Sequence, residues 1–81
     1  MSYLSNVQLF GEFDRDTLYR SEGALYLSAV QQILNSASDQ ESATVRRMWS
    51  LYNAAVRDFY DMDYYGMVVK AQRAYQLALG L

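Results

Sequence analysis

The 81-residue sequence contains no cysteine, no histidine and no proline. Without cysteine there are no disulfides, so no redox compartment follows from cross-links. Without cysteine and histidine, thiolate and imidazole zinc sites are excluded, as are Cys–His and Ser–His–Asp nucleophile systems. Only carboxylate, lysine, tyrosine or serine chemistry remains. Without proline, nothing in the chain forces a helix to break. Long apolar runs are missing too; the longest is Ala24-Leu25-Tyr26-Leu27. The sequence therefore predicts no transmembrane helix and no cleavable signal peptide. A soluble cytoplasmic or virion protein is the expectation, with export lacking a cleaved signal left open. Net charge is small: seven basic residues stand against nine acidic, and Lys70 is the one lysine among the bases. That balance gives no footprint for nucleic acid or an anionic membrane. Arginine also packs and stacks better than lysine, which suits protein interfaces.

Bulky apolar side chains are abundant. Hydrophobic residues make up 52% of the chain and aromatic residues 15%. A chain of this size buries only about 60–65% of the surface its unfolded form exposes. Some of these side chains must stay outside, and large exposed apolar patches mark interfaces. The densest stretch is 45–79, which holds the only tryptophan, five of the eight tyrosines and three of the four methionines.

Periodicity predicts an all-α fold in one domain. Residues 1–13 read as a short apolar arm, helical or extended, that packs on its own chain or on a neighbour. A helix over 14–37 begins near Asp14 or Asp16, either of which can cap it. Its apolar stripe is Tyr19, Gly23, Tyr26, Val30, Ile33 and Ala37, widened by Leu18, Leu25, Ala29 and Leu34. Gly23 inside the stripe costs about 1 kcal/mol relative to alanine and marks a close helix approach. Ser38 and Glu41 fit a capping box for a second helix over 39–61, returning antiparallel. Its stripe is Val45, Met48, Tyr52, Ala55, Phe59 and Met62, flanked by Trp49 and Val56. The phase then shifts near 61–63. Two readings fit: a third helix over 63–79, capped by Asp63, or one long bent second helix. The stripe beyond the shift is Tyr64, Val68, Ala71, Tyr75 and Ala78.

Three constellations carry possible chemistry. Asp61-Met62-Asp63-Tyr64-Tyr65-Gly66 begins like a calcium loop. Such a loop needs further oxygen ligands where this sequence has Tyr65, Val69 and Gln72. A capped helix start, with Gly66 easing the corner, is the plainer reading. Asp58, Asp61 and Asp63 lack any sign of the pocket that acid–base work requires, and Arg57 with Asp61 reads as a surface pair. Arg46-Arg47 beside Trp49 and Tyr52 suggests base stacking, which the acidic balance opposes. The remaining signal is aromatic: Trp49, Tyr52, Phe59, Tyr60, Tyr64, Tyr65 and Tyr75. Tyrosine and tryptophan are enriched at interface hot spots. Adjacent rings cannot all face one core, so these residues are the candidate interface.

Two family resemblances enter here. The length, the helices flanking a short Ser-Asp loop and the run Trp49-Ser50-Leu51-Tyr52-Asn53 resemble a type III secretion needle subunit. The spacing differs, the loop lacks proline, and this chain is richer in tyrosine. The resemblance implies an exported helical filament built from a two-helix subunit. Ala54-Ala55, Met62-Asp63-Tyr64 and Ala74 loosely resemble one tetratricopeptide unit, and a single unit does not make a repeat protein. Neither resemblance identifies a family.

The functional expectation is a non-enzymatic structural subunit that self-associates through aromatic helix faces, as a filament, ring or virion component. The alternative is a small helical adaptor, chaperone or phage-type inhibitor that binds a larger protein. No cofactor or metal is expected in either case.

Overall fold

The computed structural model describes residues 2–81, with side chains from residue 15 onward. The fold is all-α. Helix α1 spans Ser2–Ser36, α2 spans Ala43–Tyr60 and α3 spans Tyr64–Leu79. The chain runs up, down and up. Tyr19 meets Tyr65 and Tyr26 meets Tyr75, so α1 and α3 are parallel. Asp58 pairs with Lys70 across the antiparallel α2–α3 hairpin. Helix α3 packs along both neighbours, while α1 and α2 touch each other far less.

The expected start near Asp14 or Asp16 is replaced by a helix that begins at Ser2. Gly11 alone is too weak a breaker to separate residues 1–13, and the spacing of Tyr3, Val7 and Phe10 continues the helical period. Both aspartates therefore lie inside α1 rather than capping it. How the arm's side chains pack lies outside the described residues.

The α1–α2 connection is longer than the capping-box reading allows. Helix α2 starts at Ala43, and its N-cap is Ser42, whose hydroxyl accepts from Val45 N–H at 3.1 Å. Ser38 and Glu41 instead belong to the connection, where Asp39 Oδ1 accepts from Glu41 N–H at 3.0 Å. Gln40 holds the other side. Its Nε2 donates to the carbonyls of Leu34 and Ala37, at 2.8 and 3.1 Å, satisfying acceptors at the free end of α1.

The phase shift near 61–63 resolves into a third helix. Met62 N–H donates to Phe59 O and Asp63 N–H to Asp58 O at 2.8 Å. This is the Schellman pattern, which places its residue after the C-cap in the left-handed region. That residue is Met62, with φ of 63°. The glycine next along the chain does not make the corner, as the sequence suggested. Gly66 sits in the first turn of α3, where an added Cβ would lie 2.8 Å from Asp58 Oδ2 and nearer still to Asp63. Asp63 caps α3, its carboxylate accepting from Gly66 N–H at 3.0 Å.

The interior is small and aliphatic. One cluster joins Val30, Leu34, Val45, Met48, Ala74 and Ala78; a second joins Ala55, Met67 and Ala71. Val30, Leu34, Met48 and Met67 are the largest fully buried side chains. Each contributes about 1.5–3 kcal/mol of burial energy. Among the described residues, no aromatic side chain is buried. Gly23 is buried and faces Met67, whose Cγ lies 3.1 Å from where a Cβ would sit. The glycine thus makes room for the methionine between α1 and α3.

Two outcomes test this packing. Met62→Gly removes left-handed strain of about 1 kcal/mol at an exposed position. It should raise the melting temperature by about 4–8 °C for a domain of this size. Gly23→Ala gains helix propensity but crowds Met67, and overpacking costs about 1–3 kcal/mol. It should lower the melting temperature in the native background and do so much less in a Met67→Ala background, as a double-mutant cycle by denaturant melts would show.

Candidate interaction surface

The candidate rings divide by what they touch. Trp49 is half-buried against the larger core cluster. Its Nε1 donates to Gln40 Oε1 at 3.1 Å, and its ring meets Tyr52 edge-on with centroids 5.8 Å apart. Gln40 therefore links the end of α1 to the first turns of α2 through one side chain. Tyr52 and Tyr75 also lie half-buried on that cluster. Tyr75 packs on Tyr26 at 5.6 Å. Tyr64 rests against the second cluster, with the Arg20 guanidinium 5.6 Å from its ring. These four rings seal seams between helices within the chain.

Phe59, Tyr60 and Tyr65 lie farther out, although Tyr65 meets Tyr19 across α1 and α3 at 5.5 Å. They are 38%, 76% and 61% exposed. Phe59 touches Tyr60 at 5.5 Å and Tyr64 at 6.0 Å, so the rings form a cluster at the α2–α3 corner. Met62, 76% exposed, lies two residues after Tyr60. Phe59 and Met62 were expected on the inward stripe of α2. The stripe holds through Ala55, but α2 ends at Tyr60 and α3 turns away before either residue is covered.

Further exposed apolar side chains lie on α1 and α3. Leu18 and Leu25 are 61% and 74% exposed, and Val69 is 39% exposed. Beside them, Glu22, Leu25, Tyr26, Ala29 and Tyr75 line an open groove of about 440 Å³. Leu18, Leu25 and Val69 were not among the candidate interface residues, since the choice followed aromatic type. The signal for the leucines was present: each precedes a core-facing tyrosine by one position. The apolar arc of α1 is thus wider than one neighbouring helix can cover.

The acidic corner serves structure. Lys70 Nζ reaches Asp58 Oδ2 at 2.6 Å, with the Asp58 side chain 13% exposed and that of Lys70 40%. Asp58 thus pairs with Lys70, in place of the expected Arg57–Asp61 surface pair. Among the described residues, no group of three or more acidic side chains is arranged to hold a metal ion. No helix among them is long and apolar enough to cross a membrane. Arg46, Arg47 and Arg57 are exposed on α2.

The chain matches no family model, no curated protein and no solved structure. It also builds three helices, rather than the two on which the needle-subunit resemblance rests.

The division of the rings is measurable. Trp49→Ala should lower unfolding free energy by about 2 kcal/mol, below the range for a fully buried ring. Tyr60→Ala should change it by no more than about 0.5 kcal/mol. Chemical denaturation of dilute protein compares the two directly.

Proposed function

We propose that this chain is a non-enzymatic structural subunit that self-associates through its exposed apolar helix faces, most concretely as a component of a filament, ring or virion. The observation that carries this reading is the α2–α3 corner. Met62 occupies a left-handed position that glycine fills at lower cost, and its side chain is exposed after the exposed rings of Phe59 and Tyr60. Folding gains little from a methionine there. A neighbouring molecule that covers the corner gains an adaptable apolar side chain flanked by aromatic area. Strain of this kind concentrates at functional sites.

The apolar surface on α1 and α3 favours assembly over docking on one larger target. A subunit that contacts more than one neighbour needs more than one such face. The sequence has neither the imidazole nor the thiol of the commonest nucleophile systems.

Sedimentation velocity across a range of micromolar concentrations tests the proposal. Concentration-dependent association is expected, weakened by Tyr60→Ala and by Met62→Gly. Met62→Gly is the sharper probe, because it should stabilise the dilute chain while weakening assembly. A monomer at every concentration would overturn self-association in favour of an adaptor, chaperone or inhibitor that binds a larger protein.

A further inference from the structure

The outward side of α1 carries two opposite charges placed symmetrically about Leu18 and Tyr19. Arg15, Leu18, Glu22, Leu25 and Ala29 follow at spacings of three and four residues, which places them on one stripe. Arg15, Leu18, Glu22 and Leu25 are exposed, so no helix of the same chain covers them. Arg15 and Glu22 have opposite charge and lie two turns apart, about 10.5 Å along the axis. They cannot pair within one chain. Among the described residues, neither has an ion-pair partner; the pair that forms is Lys70–Asp58. Leu18 lies between them.

We propose that this stripe is the contact of an antiparallel, two-fold symmetric dimer of the chain. Arg15 of each copy then meets Glu22 of the other, on either side of a Leu18 centre. The proposal rests on the self-association reading above and specifies one of its contacts. The register follows from the charges. Since 15 + 22 = 37, residue i of one copy faces residue 37 − i of the other. That register also overlays α1 on its partner from end to end, because Ser2–Ser36 is centred at residue 19. Leu18 faces a position one residue from itself, next to the symmetry axis. A parallel arrangement would set Arg15 against Arg15 and Glu22 against Glu22, which repel. An isologous contact requires a self-complementary patch, whereas a foreign partner does not. Tyr65 extends the contact onto α3, since its ring touches Tyr19 at 5.5 Å. Exposed ion pairs add little affinity, so the charges set register and orientation while Leu18, at the centre, supplies burial.

The test begins with native protein in the ultracentrifuge. If it is monomeric throughout, the self-association reading fails and this contact fails with it. If it associates, Arg15→Glu and Glu22→Arg should each weaken the dimer by about tenfold or more through paired repulsion. An equimolar mixture of the two variants, and the double variant in one chain, should restore it. Orientation is read separately by single cysteines, which the cysteine-free background makes unambiguous. Leu18→Cys should cross-link on oxidation. Leu25→Cys should not, because its two copies stand about 20 Å apart along the axis, beyond disulfide reach. Circular dichroism confirms that these exposed substitutions leave helicity unchanged. Association that ignores both charge reversals, or cross-linking of Leu25→Cys as readily as Leu18→Cys, overturns the contact and leaves self-association standing.

Discussion

The alanine face of α3 sets the rest of the structure. Ala71, Ala74 and Ala78 make up most of the face through which α3 meets the core, beside Met67, and all four are buried. Methyl side chains let α3 lie close to both α1 and α2. They also leave no room for a ring between the helices. The aromatic side chains are displaced to the rims of the two seams, where one edge of each ring packs and the other stays wet. Tyrosine tolerates that position because its hydroxyl keeps water or a polar partner. Tyr26 does this directly: its ring packs on Tyr75 while its hydroxyl accepts from Gln72 at 3.5 Å. An aromatic-rich chain thus acquires an aliphatic interior and an aromatic periphery.

The two ends of the bundle solve their connections differently. At the α1–α2 end side chains do the work: Gln40 bonds the carbonyls ending α1, and Ser42 caps α2. The α2–α3 end relies on backbone geometry, with Met62 in a conformation that suits glycine. Asp58 anchors that end through Lys70, and Asp63 caps the next helix beside it. Both carboxylates crowd the first turn of α3, so Gly66 is required for space rather than for its backbone freedom. Local preference and fold agree at the first end and conflict at the second. Natural sequences hold such conflicts where something other than folding selects the residue.

The sequence made the helical class and the phase of each stripe legible, because spacing of three and four residues survives any tertiary arrangement. It also located the break near 61–63, since the stripe through Ala55 and the stripe through Val68 cannot lie on one straight face. It hid Met67 and Ala74, which lie outside the stripe traced through Val68, Ala71 and Tyr75. The reason is that α3 is flanked by two helices and needs an arc wider than a single stripe. The caps misled for a different reason. Ser38 with Glu41 and Ser42 ahead of Val45 are both credible helix starts, and only the reach of Gln40 back to α1 decides between them. The exposed apolar side chains were half visible: ring type pointed to Tyr60 and Tyr65, but exposure of Leu18 and Leu25 depends on where α3 docks.

Helix α1 is about twice as long as either helix packed on it. The Tyr19–Tyr65 contact puts the start of α3 halfway along its length. The α2–α3 corner therefore stands beside the middle of α1, as Arg20 over Tyr64 also shows. Leu18, Tyr65, Phe59, Tyr60 and Met62 thus share one level of the molecule, while the α1–α2 connection is lined with serine, aspartate and glutamine. Leu18, Tyr60, Met62 and Tyr65, each more than half exposed, lie near the midpoint of the longest element, which is where a two-fold axis across that element would fall. Stability resides in the buried aliphatic interior rather than in these exposed side chains. A substitution among these exposed side chains therefore removes little of the packing that holds the fold.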